Sequence, residues 1–150
     1  MIRRTTFYKH FADKYEYFTF YLKEVCETFQ AELPPNTLSE DVNTYFLQMS
    51  SELLYFITNH QKIVNHISES DLFPILLNIL SEHITRDIIQ AYNRIHASSK
   101  MDATRLESIA AFYAGGLLNM LLHWIKPKKE INDKIFLQII ADLTTKNPLA

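Results

Sequence analysis

The chain of 150 residues is poor in glycine, proline and cysteine, with two Gly, five Pro and one Cys. So few turn-forming residues argue against a turn-dense β architecture, and a hydrophobic content of 47% argues against disorder. The single cysteine, Cys26, cannot form an internal disulfide. The N-terminus also lacks the basic and then apolar profile of a signal peptide. We therefore expect a single all-α domain that is located in the cytoplasm.

The sequence also lacks the residue patterns that metal binding and common catalytic sites require. The six histidines fall in no metal-ligand spacing such as HExxH. No Gly-rich phosphate loop and no GxSxG nucleophile elbow is present. We therefore predict no enzyme activity, no catalytic residue, no metal site and no cofactor.

Apolar residues recur with a helical period along most of the chain. Asp13, Ser39 and Asn59 are predicted N-caps, and Pro74 is tolerated in the first turn of a helix. The period predicts helices over residues 13–32, 39–57, 59–67, 70–97, 103–125 and 131–143.

The net charge of −2 is distributed unevenly. Residues 1–14 have a net charge of +3, from Arg3, Arg4, Lys9 and Lys14 against Asp13. The remaining residues carry eleven basic and sixteen acidic side chains, a net charge of −5. A basic end on an acidic body fits a protein whose nucleic-acid contact lies at one end, because the body would be repelled by phosphate.

The basic end contains the most informative stretch of the sequence, TTFYKHFADKYE over residues 5–16. Phe7 and Phe11 are four residues apart and share one face of a helix, so they can dock it on a neighbouring surface. The polar side chains on the remaining surface stay free. Thr and Lys can reach base edges in a major groove, while Tyr, His and Lys suit phosphate oxygens.

This ordered pattern resembles the recognition helix of the TetR family of bacterial transcriptional regulators. The family pattern is a small hydroxyl residue, an aromatic residue or Leu, Tyr, one variable residue, His or Tyr, Phe, a polar turn, Lys and an acidic residue. The resemblance implies a cytoplasmic repressor with an all-α, TetR-like regulatory domain and a partial N-terminal helix-turn-helix. Residues 1–12 would be a remnant of the DNA-binding head, and residues 13–150 the helical effector-binding and dimerisation domain. The implied DNA contacts are Thr5, Thr6, Tyr8, Lys9, His10 and Lys14.

Members of that family have two further helices before the recognition helix, whereas Met1 falls at the turn just before it. We therefore expect this chain to lack most of the DNA-binding head and to bind duplex DNA weakly, without sequence preference. A longer form would bind a DNA operator. The alternative from a different class is a helical dimerising or ligand-binding module without DNA-binding activity.

The helix predicted over 103–125 is apolar on nearly every side, which predicts that it is buried all round. It contains both glycines of the protein, and the close approach of another backbone would compensate for their low helix propensity. Its sequence from Phe112 to Trp124 resembles the penultimate helix of dihydroxyacetone-kinase operon regulators within the TetR family. The family's last two helices pair with their copies in a homodimer. The implied interface residues are Phe112, Gly115, Gly116, Leu117, Met120, Trp124, Ile135 and Ile139.

A transmembrane span over residues 109–125 is a weaker alternative, because the apolar window is short and contains Asn119 and His123. We therefore expect no membrane partner. The resemblance also implies a small-molecule effector of unknown class. The side chains considered for an effector pocket are Met49, Tyr55, His83, Asn93 and Tyr113.

Overall fold

The computed structural model describes residues 9–32, 41–98, 101–125 and 132–145, and within these ranges the chain is helical with no strand. Lys9 and His10 belong to helical backbone that ends before Phe11. This all-α architecture confirms the predicted fold class. The helices that follow are α1 Lys14–Glu32, α2 Val42–Asn59, α3 Gln61–Ser68, α4 Phe73–Ile95, α5 Ala103–Ile125 and α6 Asp133–Thr144.

Two predicted features of helix starts are confirmed. The Asp13 carboxylate accepts hydrogen bonds from the backbone N–H groups of Tyr15 (2.8 Å) and Glu16 (2.9 Å), as an N-cap does. Pro74 lies in the first turn of α4, where its missing N–H leaves no intrahelical bond unmade. Local sequence signals therefore place the beginning of α1 correctly, whereas α4 begins at Phe73, three residues after the predicted start at residue 70.

Two other predicted caps are wrong. Helix α2 is capped by Asp41, not by Ser39, and the Asp41 carboxylate accepts from the Thr44 backbone N–H at 2.8 Å. Asn59 is the last residue of α2, and His60 precedes α3 without a side-chain cap hydrogen bond. Helix α2 continues two residues beyond its predicted end at residue 57, so the boundary between the two helices is shifted.

The core lies between α2, α4, α5 and α6. Helix α4 packs along α5 over the most extensive contact, and α2 packs against both α6 and α4. Val42, Ala91, Ala110, Ala114 and Phe136 have no exposed surface, so small residues on α4 and α5 allow the two helices to approach closely. No described helix is long and apolar enough to span a membrane.

Helix α5 is not buried all round, contrary to the prediction. Its inner face, with Ala110, Leu117 and Leu121, is buried in the core. Its outer face is open, and the Phe112 side chain there is 76% exposed. An apolar composition on both sides of a helix does not reveal which side its own chain covers.

Helix α1 packs on α4 and is held by few buried side chains. Among its described side chains, Leu22 is fully buried, whereas Phe18 and Val25 are half-buried. The aromatic side chains of Tyr17 and Tyr21 are 40% and 53% exposed. Helix α1 is thus the most weakly anchored of the long helices in the described part of the chain.

Candidate functional site

The predicted DNA-contacting residues lie on and before the first turn of α1. Lys9 and His10 are exposed, and Lys14 begins α1 with a side chain that is 62% exposed. Thr5, Thr6 and Tyr8 lie outside the described residues. The part of this segment that is described therefore presents cationic and hydrogen-bonding side chains at the surface.

Phe11, which follows the helical backbone of Lys9 and His10, contacts α1 through its aromatic ring. The Phe11 ring lies 5.1 Å from the Tyr17 ring in an edge-to-face arrangement and 5.5 Å from the Phe20 ring, measured between centroids. Such pairs stabilise a contact beyond the apolar area that they bury. The docking role predicted for Phe11 is therefore performed on the surface of α1 itself.

Lys14 is engaged by a residue far away in the sequence. Its Nζ lies 3.2 Å from Oδ2 of Asp71, in the turn between α3 and α4. The Tyr15 hydroxyl donates to the same oxygen at 2.5 Å, and Lys14 Nζ lies 4.7 Å from the centroid of the Tyr15 ring. Sequence reasoning missed Asp71 as a site residue, because nothing in a local pattern links positions 57 residues apart.

A second polar group lies where α1 packs on α4. His83 and Asp87 are one helical turn apart on α4, and each is 7% exposed. His83 Nδ1 has no hydrogen-bond partner among the described residues. Cys26 of α1 is half-buried at the same contact, and the charge of Asp87 contributes to raising the pKa of its thiol. Ionisable groups at this depth are uncommon unless they are paired or functional.

Burial is the main cause of the pKa shifts in this polar group. It raises the pKa of Asp87 to about 6, although the nearby Arg86 acts in the opposite direction. It also lowers the pKa of His83 and raises the pKa of the Cys26 thiol. At neutral pH the imidazole is therefore neutral and the thiol protonated, so Cys26 is not an activated nucleophile.

His83 was considered for an effector pocket from the sequence, whereas Asp87 was missed. The spacing of four residues between them was the available signal. The other pocket candidates are distributed differently: Met49 is buried, Tyr55 is 69% exposed, and Asn93 is exposed. The half-buried Tyr113 ring packs edge-to-face on Phe46 at 5.5 Å. Two of the five side chains, Tyr55 and Asn93, thus face solvent and do not line a buried pocket within the described chain.

The predicted interface residues divide into three groups. Phe112, Gly115, Gly116 and Ile135 are exposed, and a Cβ added at either glycine would meet no atom within 4 Å. The expected close approach of another backbone is therefore not made at these glycines within the described part of the chain. Leu117 is only 2% exposed and packs in the core of its own chain, which removes it from the outer surface. The remaining three are half-buried: Met120, Trp124 and Ile139.

No group of His, Cys, Asp and Glu side chains in the described ranges could hold a metal ion.

Comparison with known proteins gives a family assignment. Residues 44–146 match the family model TetR_C_8, the transcriptional regulator C-terminal region. Neither the curated proteins nor the solved structures give a match. Since the matched region covers most of the chain and the fold is all-α, this protein belongs to the TetR-type family of transcriptional regulators.

Proposed function

We propose that this protein regulates transcription by binding DNA through its N-terminal segment as a homodimer. The observation that carries the proposal is the ordered recognition-helix pattern of residues 5–16, directly before a body of the TetR type. The exposed Lys9, His10 and Lys14 side chains support it, because cationic groups at one end attract phosphate. The proposed contacts are Thr5, Thr6, Tyr8, Lys9, His10 and Lys14.

The DNA-binding part is tested by selection from a library of random-sequence duplexes. The protein used includes any residues that its gene encodes before Met1. We expect enrichment of a near-palindromic site, with an affinity that falls steeply as the salt concentration rises. Failure to enrich any duplex over an unrelated protein would overturn the assignment to a DNA-binding regulator.

Three single substitutions separate base contacts from backbone contacts in this assay. Thr6→Ala or Lys9→Ala is expected to change the preference among sites, because these side chains reach base edges. Lys14→Ala is expected to weaken binding to all duplexes alike. Lys62→Ala, which removes an equal charge from the exposed surface of α3, is the matched control and leaves the site preference unchanged.

The homodimer is supported by the open face of α5 and the apolar side chains of α6. Phe112 is 76% exposed, and Ile135 and Leu143 are 50% and 66% exposed. Apolar side chains this large are exposed on both helices, and exposed apolar surface is a feature of interaction sites. The exposed Gly115 and Gly116 would allow a second backbone to approach closely. Met120, Trp124 and Ile139 border the proposed surface.

Light scattering at low micromolar concentration tests the dimer. We expect about twice the chain mass of 17.6 kDa. Phe112→Ser is expected to shift the protein towards the monomer, whereas Phe20→Ser on α1, at 52% exposure, serves as the control and does not. A monomeric wild-type protein, or an equal effect of the two substitutions, would contradict the proposed interface.

A small-molecule effector remains a predicted partner of the body. Among the five side chains considered for its pocket, His83 is the buried polar one, and it lies against α1, the helix that follows the DNA-binding segment. A ligand that displaced α1 from His83 would therefore act directly on that segment. Ligand-dependent loss of DNA binding in a metabolite screen, absent in His83→Phe, would support effector control at this contact.

A further inference from the structure

Asp71 is the meeting point of two side chains from the beginning of α1. Its Oδ2 accepts hydrogen bonds from Lys14 Nζ at 3.2 Å and from the Tyr15 hydroxyl at 2.5 Å. The two donors are adjacent in sequence, and both reach the same oxygen. The contact therefore ties the first turn of α1 to the turn between α3 and α4.

Both sides of this contact are positioned by local hydrogen bonds. The Asp13 cap fixes the first turn of α1, which sets the direction of the next two residues. On the other side, Ser70 Oγ donates to the Ile67 carbonyl at 2.8 Å and accepts from the Leu72 backbone N–H at 3.2 Å. Ser70 thus shapes the turn, and Asp71 is left to project towards α1 instead of capping α4.

Lys14 and Asp71 carry opposite charges and form an ion pair at this contact. The hydrogen bond to Asp71 is the main cause that raises the pKa of Lys14, and the Tyr15 hydroxyl is the main cause that lowers the pKa of Asp71. Both groups are ionised at neutral pH. A phosphate near Lys14 would therefore meet an ion pair with little net charge instead of a free cation.

We infer that Asp71 competes with the DNA backbone for Lys14, so that the position of the turn between α3 and α4 sets how strongly the protein binds DNA. This inference rests on the proposed DNA-binding function. It adds a regulatory contact within the chain. If Asp71 moved away from Lys14, the ammonium group of Lys14 would no longer be neutralised and would be available to contact a phosphate.

The packing of α3 explains how the turn could be displaced. Helix α3 has no fully buried side chain, and its Ile63 is 59% exposed. Phe73, in contrast, is 8% exposed at the beginning of α4. Asp71 therefore lies between a lightly held helix and a firmly held one, and displacement of α3 by a ligand or partner would move Asp71 at little cost in core packing.

A double-mutant cycle on DNA binding tests the competition. The protein with any residues encoded before Met1 is used, with the duplex that it selects and with an unrelated duplex. Asp71→Asn is expected to tighten binding to both duplexes about two- to fivefold, the range that an exposed ion pair allows. It should also steepen the dependence of log affinity on log salt by up to about one, for one added phosphate contact.

The same substitution in a Lys14→Ala background measures the effect of charge alone, and we expect most of the gain to disappear there. Glu107→Gln, an exposed carboxylate on α5, is a second control for net charge. An equal gain with and without Lys14, or no gain from Asp71→Asn, would overturn the inference while leaving the DNA-binding function intact. Absence of binding to every duplex would overturn both.

The contact itself is measured without DNA. The titration of the Asp71 carboxyl carbon, followed by NMR, should shift to higher pH in Lys14→Ala, because the ammonium group favours the carboxylate. An unchanged titration would show that the two side chains do not interact in solution. That result would overturn the inference whether or not the protein binds DNA.

Discussion

Helices α1 and α5 are both long and rich in aromatic or apolar residues, but the chain holds them in different ways. Helix α5 buries Leu106, Leu117 and Leu121 on one face against α4 and the rest of the core. Among its described side chains, helix α1 buries Leu22 alone, and the polar group of His83 and Asp87 lies where α1 meets α4. The difference indicates that α5 is a scaffold, whereas α1 is free to shift at a small cost in burial.

The largest expected effect is on the free energy of unfolding, when one buried leucine in each helix is replaced by alanine. Leu121→Ala should lower the free energy of unfolding by about 3–5 kcal/mol, because it opens a cavity in the continuous core. Leu22→Ala should cost about 2 kcal/mol, because Leu22 lies outside that core and solvent can relax around it. Urea denaturation of both variants measures the two values, and equal losses would remove the distinction between the helices.

Hydrogen exchange sharpens this comparison within the wild-type protein. Amide groups of α1 should exchange through local opening, and those on the inner face of α5 only through global unfolding. Equal protection in both helices would contradict the weaker attachment of α1.

A smaller effect, on the pH dependence of stability, is expected from Asp87 and His83 at the contact between α1 and α4. Because the pKa of Asp87 is raised from 3.8 to about 6 in the folded protein, its contribution to stability is lost as the pH rises through that window. His83 acts in the opposite direction: its pKa is lowered from 6.5, so its contribution is lost as the pH falls below that value. Asp87→Asn isolates the first effect while it keeps the size of the side chain.

We therefore expect Asp87→Asn to match the wild-type protein near pH 4, within error, and to be more stable by about 1–3 kcal/mol near pH 7. Thermal unfolding across this range measures the difference. Glu82→Gln, an exposed carboxylate on the same helix, is the control and should give no such pH-dependent difference. A difference of constant size at all pH values would show that Asp87 is not desolvated.

The smallest effect is expected on the outer face of α5. Under conditions that keep the protein monomeric, Gly116→Ala should raise the free energy of unfolding by up to about 1 kcal/mol, because the added Cβ meets open space and alanine favours the helix. Gly116→Leu should weaken association if a second backbone packs there. Unchanged association of the leucine variant would exclude close packing at this glycine.

Most of the fold was predictable because helices are encoded locally. The helical period and the turn residues placed all six helices within a few residues, and Asp13 was correctly predicted as a cap. The Ser39 cap was wrong because Asp41, a residue of similar capping ability, accepts the cap hydrogen bond. The Asn59 cap was wrong because α2 continues through Asn59, and α3 begins without a side-chain cap. The all-α class depended on none of these details.

The candidate site was predictable only in part. The resemblance of residues 5–16 indicated the DNA-binding segment, and the matched region of residues 44–146 confirmed the TetR-type family. The partner of Lys14 could not be predicted, since Asp71 is brought to it by the packing of α1 beside α4. The dihydroxyacetone-kinase branch, the DNA contacts and the dimer interface stay predictions.

The sequence by itself determined the all-α class, the approximate extent of each helix and the basic charge of one end of the chain, because propensity and charge are properties of neighbouring residues. Only the tertiary structure decided which helix faces are covered. It exposed Phe112 and Gly116, buried His83 and Asp87, and paired Lys14 with Asp71. Burial and long-range pairing depend on which helices pack together, and periodicity within one helix carries no information about its neighbour.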